Sequence, residues 1–223
     1  MSTHDLPVPG AIAAKIDLRA RLRVFDFDGT LASSSREAWA VLEPEIHAIS
    51  EAYWQQWLRC FADERIWATH ETQKMIDIGC DFLRNRFLDT SGRAWIESIE
   101  RSVAAAFSAD VSPMALLSMI SASDRAALGV MVARVDRDDP RLPVLLDTLM
   151  RLSALEGEIT VDIYNSYREH RAQVARDRLS VEFRDGIAAM VERATSEGVT
   201  LREQAARSSG SARGMIDKTA EVA

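Results

Sequence analysis

The sequence predicts an all-α protein, and three observations carry that prediction. Trp39, Leu42, Ile46, Ile49, Tyr53 and Trp57 recur at intervals of 3, 4, 3, 4 and 4 residues, which places them on one face of a 3.6-residue turn. Ile96, Ile99, Val103 and Ala106 repeat the pattern at 3, 4 and 3. The breaks between such runs are short clusters of turn and cap residues, at Asp89 to Gly92, Asp110 to Ser112 and Asp136 to Pro143.

Composition narrows the class. At 223 residues the chain has room for one medium domain with an extension, or for two small domains. A hydrophobic share of 47% is ordinary for a globular protein. The formal charge of -7 argues against nucleic acid and anionic membrane surfaces as partners. Two cysteines, Cys60 and Cys80, are too few for a disulfide scaffold or a tetrahedral zinc site; they read as reduced thiols. No apolar run approaches the roughly 20 residues that span a bilayer, and the first residues, with a short apolar patch and scattered charges, do not form a signal peptide. The expected location is cytoplasmic, with no membrane and no nucleic acid.

Residues 1–20 carry Pro7, Pro9 and Gly10 and little periodicity; they read as a mobile arm ending in a short helix near Ala11 to Leu22. Arg21 to Ser35, RLRVFDFDGTLASSS, contains the most conspicuous short motif. VFDFDGTL resembles the first motif of haloacid-dehalogenase-type phosphatases, which implies a strand ending in a nucleophile, Asp26, followed by a general acid–base, Asp28. That fold also needs further strands, a lysine for the phosphate and a late acidic pair. The lysines are Lys15, Lys74 and Lys218, and Lys74 sits in a helical pattern. The acids of RVDRDD, from Arg134 to Asp139, are separated from the motif by helical patterns rather than by alternating strand and helix. The preferred reading is a helix start, with Asp28-Gly29 turning the chain and Ser33 to Ser35 capping the next helix.

Arg36 to Phe61 is helical with a kink at Pro44. Asp63 to Leu88 is the next helix and holds His70; His47 lies on the one before. Arg93 to Ser108 comes after it, with Trp95 and Phe107 widening its apolar face and Glu97, Glu100 and Arg101 placed away from it. Pro113 fits the first turn of a long apolar helix running to Val135, and Val144 to Tyr167 is the last core helix. Beyond Tyr167 the chain becomes charged. A seam with steps of 3 and 4 runs through Ile187, Val191, Ala194, Gly198, Leu201, Ala205, Ser208, Ala212, Met215, Thr219 and Val222, as a coiled coil requires.

Several of these stretches resemble globin-coupled sensors, the bacterial haem-based oxygen receptors. VLEPEIHAISEAYWQQWL, from Val41 to Leu58, is similar to their first long helices, where an aliphatic-Glu-Pro step precedes an aromatic pair whose second member contacts the bound gas; that position is Trp54 here. WIESIERSVAAAFSADVSP, from Trp95 to Pro113, is similar to the segment around their haem-binding histidine, which comes seven residues before such a proline. Here that position is Ala106, and the family's Arg-Ile-Gly-Leu is replaced by Ser108, Ala109, Asp110 and Val111. Tyr164 is placed like a tyrosine of the family's final globin helix, and Ser208 to Ala223 resembles the entry into the signalling domain of methyl-accepting chemotaxis receptors. The resemblance implies a globin-like sensor domain over residues 21–170 and a signalling helix over 171–223. It also implies a homodimer joined through the first and last long globin helices, with a histidine kinase and coupling protein as downstream partners, and signal transduction rather than catalysis. The family cofactor is haem. Alanine cannot ligate iron, so the expectation is a chain that has lost it, the alternative being a substitute ligand such as His70.

Overall fold

The computed structural model describes the backbone of residues 6–60 and 69–221, and the side chains of residues 6–59 and 71–212. Helix is the regular structure throughout these residues. A 3-10 turn at Ala13–Lys15 precedes α1 (Leu18–Phe25) and α2 (Leu31–Leu42). A second 3-10 turn, Glu43–Glu45, leads into α3 (Ile46–Cys60); then come α4 (Thr69–Leu88), α5 (Ala94–Ser108), α6 (Pro113–Arg134) and α7 (Arg141–Glu221). The chain divides into two compact units, Met1–Arg171 and Ala172–Ala223.

Local chemistry explains the breaks. Asp17 caps α1 by accepting from the Ala20 N–H at 2.9 Å. Pro44 sits in the 3-10 turn, so the kink expected there is a full change of helix between α2 and α3. α5 ends in a Schellman motif: the Val111 N–H donates to the Ala106 carbonyl at 2.8 Å and the Asp110 N–H to the Phe107 carbonyl at 3.2 Å, with Asp110 in the left-handed region at φ 56°. Pro113 opens α6 where its missing N–H costs nothing. Pro143, expected in a loop, lies in the first turn of α7 for the same reason.

The first unit holds two buried clusters. One joins Trp95, Ile96, Val103 and Phe107 of α5 to Leu116 and Met119 of α6 and to Leu155, Ile159, Ile163 and Tyr167 of α7. The other joins Leu31, Trp39 and Leu42 of α2, Ile46 and Ile49 of α3, Leu83 and Phe87 of α4, Met131 of α6 and Leu145, Leu149 and Leu152 of α7. The apolar stripes read from the sequence on α2, α3 and α5 thus face the interior. In the second unit the described side chains are exposed except for the half-buried Val174, Leu179, Phe183, Ile187 and Val191 among them, and Gln173–Asp177 and Arg178–Glu182 pair one turn apart along the helix.

Four expectations need correction. The N-terminal arm is packed from Leu6 onward: Ile12, Ala13 and Ile16 are buried against α5, and the predicted helix from Ala11 to Leu22 is a 3-10 turn followed by α1. Glu100, placed on the polar side of α5, is 2% exposed. Its carboxylate accepts from the N–H groups of Gly10 (3.1 Å), Ile12 (3.4 Å) and Ala13 (2.7 Å), and Arg93 donates to the Ala13 carbonyl at 2.6 Å. These bonds satisfy backbone N–H groups that the segment's own internal hydrogen bonds leave over. Ser33 to Ser35 lie inside α2 rather than capping it; Thr30 is the cap position, and the Ser33 and Ser34 hydroxyls donate back to its carbonyl. Finally, α6 does pass the length and apolarity of a membrane span, with an 18-residue window of mean hydropathy 1.4 that is 39% buried. Its inner face, Leu116, Met119, Ile120, Ala127 and Met131, belongs to the core.

Candidate functional site

Five helices of the first unit line a cavity of about 60 Å³. Each contributes residues from one face. Ser50, Tyr53 and Trp54 come from α3; Gly79, Phe82, Leu83 and Arg86 from α4; Ser98, Ile99, Ser102 and Val103 from α5; Leu116, Ile120 and Ser123 from α6; Glu156 and Thr160 from α7. The α3–α4 wall depends on Gly79. A Cβ there would collide with the Ser50 Oγ, a hydroxyl already donating to the Ile76 carbonyl at 2.8 Å.

The polar end of the cavity is a buried ionic triad. Arg86 is 1% exposed and Glu156 4%. Arg86 Nη1 donates to Asp124 Oδ1 at 3.1 Å, and Arg86 Nε lies 3.0 Å from Glu156 Oε2 at an angle too bent for a hydrogen bond. Arg86 Nε and Nη2, Asp124 Oδ2 and Glu156 Oε2 are all buried without a hydrogen-bond partner, an uncommon state for interior polar atoms. Burial pushes the Glu156 carboxyl up to about 7, against the pull of Arg86. Burial likewise raises the Tyr53 phenol, with the Ser102 hydroxyl opposing it.

Trp54, the expected distal residue, lines this cavity and meets Tyr53 edge-on at 5.3 Å. Ala106 is fully buried yet stands outside the lining. It packs in the cluster that includes Val111 and Tyr164, and the Tyr164 hydroxyl donates to the Val111 carbonyl at 3.0 Å. His70 lies in α4, but its side chain is outside the described residues; His47 is exposed on α3. The cavity is far below the roughly 300–1,000 Å³ of pockets for drug-sized ligands, and the proximal position offers a methyl group packed away from it. Among the described residues no group of three or more His, Cys, Asp or Glu could hold a metal ion.

The aspartates of the phosphatase-like motif are used structurally. Val24 and Phe25 are helical, ending α1, so the strand that motif requires is replaced by helix. Asp26 Oδ1 accepts from the Leu31 N–H at 2.9 Å. Asp28 accepts from Thr30 and is held by Arg151 through two bonds of 2.9 Å, which keeps its carboxyl well below the usual range. Burial pushes the Cys80 thiol up, the direction of an inert cysteine.

Sequence reasoning missed Arg86, Asp124, Glu156 and Glu100. A signal existed for two of them. Glu156 falls in the series Leu152, Glu156, Ile159, Ile163, and Glu100 in the series Ile96, Glu100, Val103, Phe107: a carboxylate at an apolar position of a helical stripe. The chain matches no protein-family model and no curated protein.

Proposed function

We propose that this chain is a globin-like sensory input unit that has replaced haem binding with a small buried cavity. In this reading it acts as a homodimer and passes its state along α7 toward chemotaxis-type signalling partners, a histidine kinase and its coupling protein. The observation that carries the reading is the composition of the cavity wall. Glu156 and Thr160 belong to α7, the helix whose range continues to Glu221. A ligand that repacks the wall changes the conformational preference of the output helix directly.

Two further observations support the globin-like alignment. Asp110 occupies the left-handed conformation at the position where the sensor family has the glycine of Arg-Ile-Gly-Leu. Tyr164, aligned with the family's tyrosine, ties α7 to the turn after α5. For the dimer, exposed apolar side chains lie on α6 as well as on the expected first and last long helices, where Leu58 of α3 and Val144 of α7 are exposed. α2 exposes no large apolar side chain, whereas α6 exposes Met114, Leu128 and Val132 at 76%, 42% and 58%, and the core part of α7 exposes Met150 and Val161. Apolar rows of this kind mark interaction surfaces.

Sedimentation velocity at micromolar concentration tests the reading. A dimer is expected; a monomer at all concentrations overturns it. Titration with haemin provides the second check. The expected result is no stoichiometric Soret band, whereas a sharp band shifted by carbon monoxide would restore the haem sensor and point to His70 as the ligand.

A further inference from the structure

We propose that the cavity is a binding site for small uncharged molecules carrying a hydrogen-bond acceptor beside a donor, the primary-amide type, recognised by Arg86 and Glu156. The inference rests on the sensor reading and names the chemical class of its input. Its basis is the mismatch at the polar end. Arg86 Nη2 is a buried donor without a hydrogen bond, and Arg86 Nε and Glu156 Oε2, ion-paired at 3.0 Å, leave a donor and an acceptor side by side with no hydrogen bond of their own. Both side chains are more than nine-tenths buried and both line the cavity. Leaving such groups unpaired is costly, so the site favours a molecule that satisfies both at once: a carbonyl oxygen accepting from Arg86 and an amide N–H donating to Glu156.

Charge and size narrow the class. One guanidinium already faces Asp124 and Glu156, so an anionic ligand would add a second negative charge to a buried site, and a third once Glu156 ionises. A cation would repel Arg86. An acceptor alone leaves Glu156 unpaired. The volume of about 60 Å³, at about 10–15 Å³ for each water-sized atom, holds roughly four to six heavy atoms. The remaining wall, Phe82, Ile99, Val103 and Ile120, receives a methyl or ethyl group. A ligand this small binds in the range of tens of micromolar or weaker.

Acetamide, acetone and acetate have the same heavy-atom skeleton and separate the alternatives. The full-length protein, labelled with 15N-arginine, is titrated with each while the Arg86 Nε–H resonance is followed by NMR. Acetamide is expected to shift it saturably, at a concentration at least about tenfold below that needed for acetone or acetate, the usual consequence of one unmet hydrogen bond to a charged group. Glu156→Gln should weaken acetamide about tenfold, and Ser102→Val, which replaces the hydroxyl by a methyl and adds a second methyl to the cavity, should abolish binding with the helical circular-dichroism signal retained. Equal responses to all three probes would mean an unselective apolar void, and no saturable shift would mean that ordered water satisfies the triad; either overturns the proposal. Sedimentation of the same samples separates this result from the sensor reading. A dimer that ignores acetamide removes only the ligand class, and a monomer that binds it keeps the ligand class and removes the sensor.

Discussion

Two buried carboxylates decide much of this fold's behaviour, and they act in opposite directions. Glu100 is fully used: three backbone N–H groups and the Tyr167 hydroxyl, at 3.3 Å, converge on it. Glu100→Ala strands those donors in the interior and is expected to cost about 2–4 kcal/mol in urea unfolding; Glu100→Gln, which keeps one acceptor oxygen, should cost less. The neighbouring Tyr167 phenol is pushed up to about 12, by burial first and then by Glu100, so it stays protonated and donating throughout the neutral range. Glu156 is under-used. Burial raises its carboxyl from 4.5 to about 7, so the folded state holds a proton that the unfolded chain releases. The stability this group contributes is therefore fully present below pH 4.5 and is lost as pH rises toward 7, on the order of 3 kcal/mol across the window. Glu156→Gln removes the titration. The unfolding free energy of the wild type minus that of the variant should fall steadily from pH 4.5 to 7; a flat difference would show that Glu156 remains ionised in the fold.

At the scale of elements, helix ends and helix crossings carry the information. Asp110 closes the Schellman turn of α5 with a positive φ, a conformation glycine reaches at lower cost than aspartate. Asp110→Gly is expected to stabilise the protein by about 0.5–1 kcal/mol and Asp110→Val to destabilise it by roughly 1–2 kcal/mol, read as opposite shifts in thermal midpoint. Gly79 sets the distance between α3 and α4. Gly79→Ala must displace the Ser50 hydroxyl from its bond to the Ile76 carbonyl, and should cost about 1–3 kcal/mol even though alanine is the better helix former. These elements also show what was legible beforehand. Stripes such as Trp39, Leu42, Ile46 and Ile49 announced their buried faces, because periodicity records burial directly. Pro44 and Pro113 announced breaks. The role of residues 6–17 was hidden, since they have no periodicity and are held by Glu100 and Arg93 from 80 to 90 positions away. Of the candidate site, Trp54 was legible through its place in an aromatic pair. The Arg86–Asp124–Glu156 triad was not, because its partners lie on three helices and only tertiary packing brings them together.

For the whole molecule, the decisive quantity is what covers α6. A helix apolar enough to resemble a membrane span, yet only 39% buried over its most apolar window, is half explained by the core it packs into. Its outer row, Met114, Leu117, Leu128 and Val132, is exposed. Full burial of such side chains contributes roughly 1.5–3 kcal/mol each; because these four begin partly buried, covering them in both copies of a two-fold interface gains roughly 6–13 kcal/mol, comparable to the roughly 4–15 kcal/mol lost in association, so such an interface needs further contacts around this row. The seam of the second unit, with Ile187 and Val191 exposed, is a separate candidate for coverage. The two surfaces can be told apart by charge. Leu128→Glu with Val132→Glu places four carboxylates in a dimer built on α6 and should weaken it at least about 100-fold, with helical content unchanged because both positions are exposed. Ile187→Asp with Val191→Asp tests the seam in the same way. If sedimentation shows that only the second pair dissociates the dimer, the coil is the dimerisation device and the α6 row serves another partner. If only the first does, the first unit dimerises by itself and the seam pairs as a consequence. Loss from either pair alone would mean that neither surface suffices, the condition under which a change at the cavity wall most readily alters the pairing of α7, because each interface then sits near its own threshold.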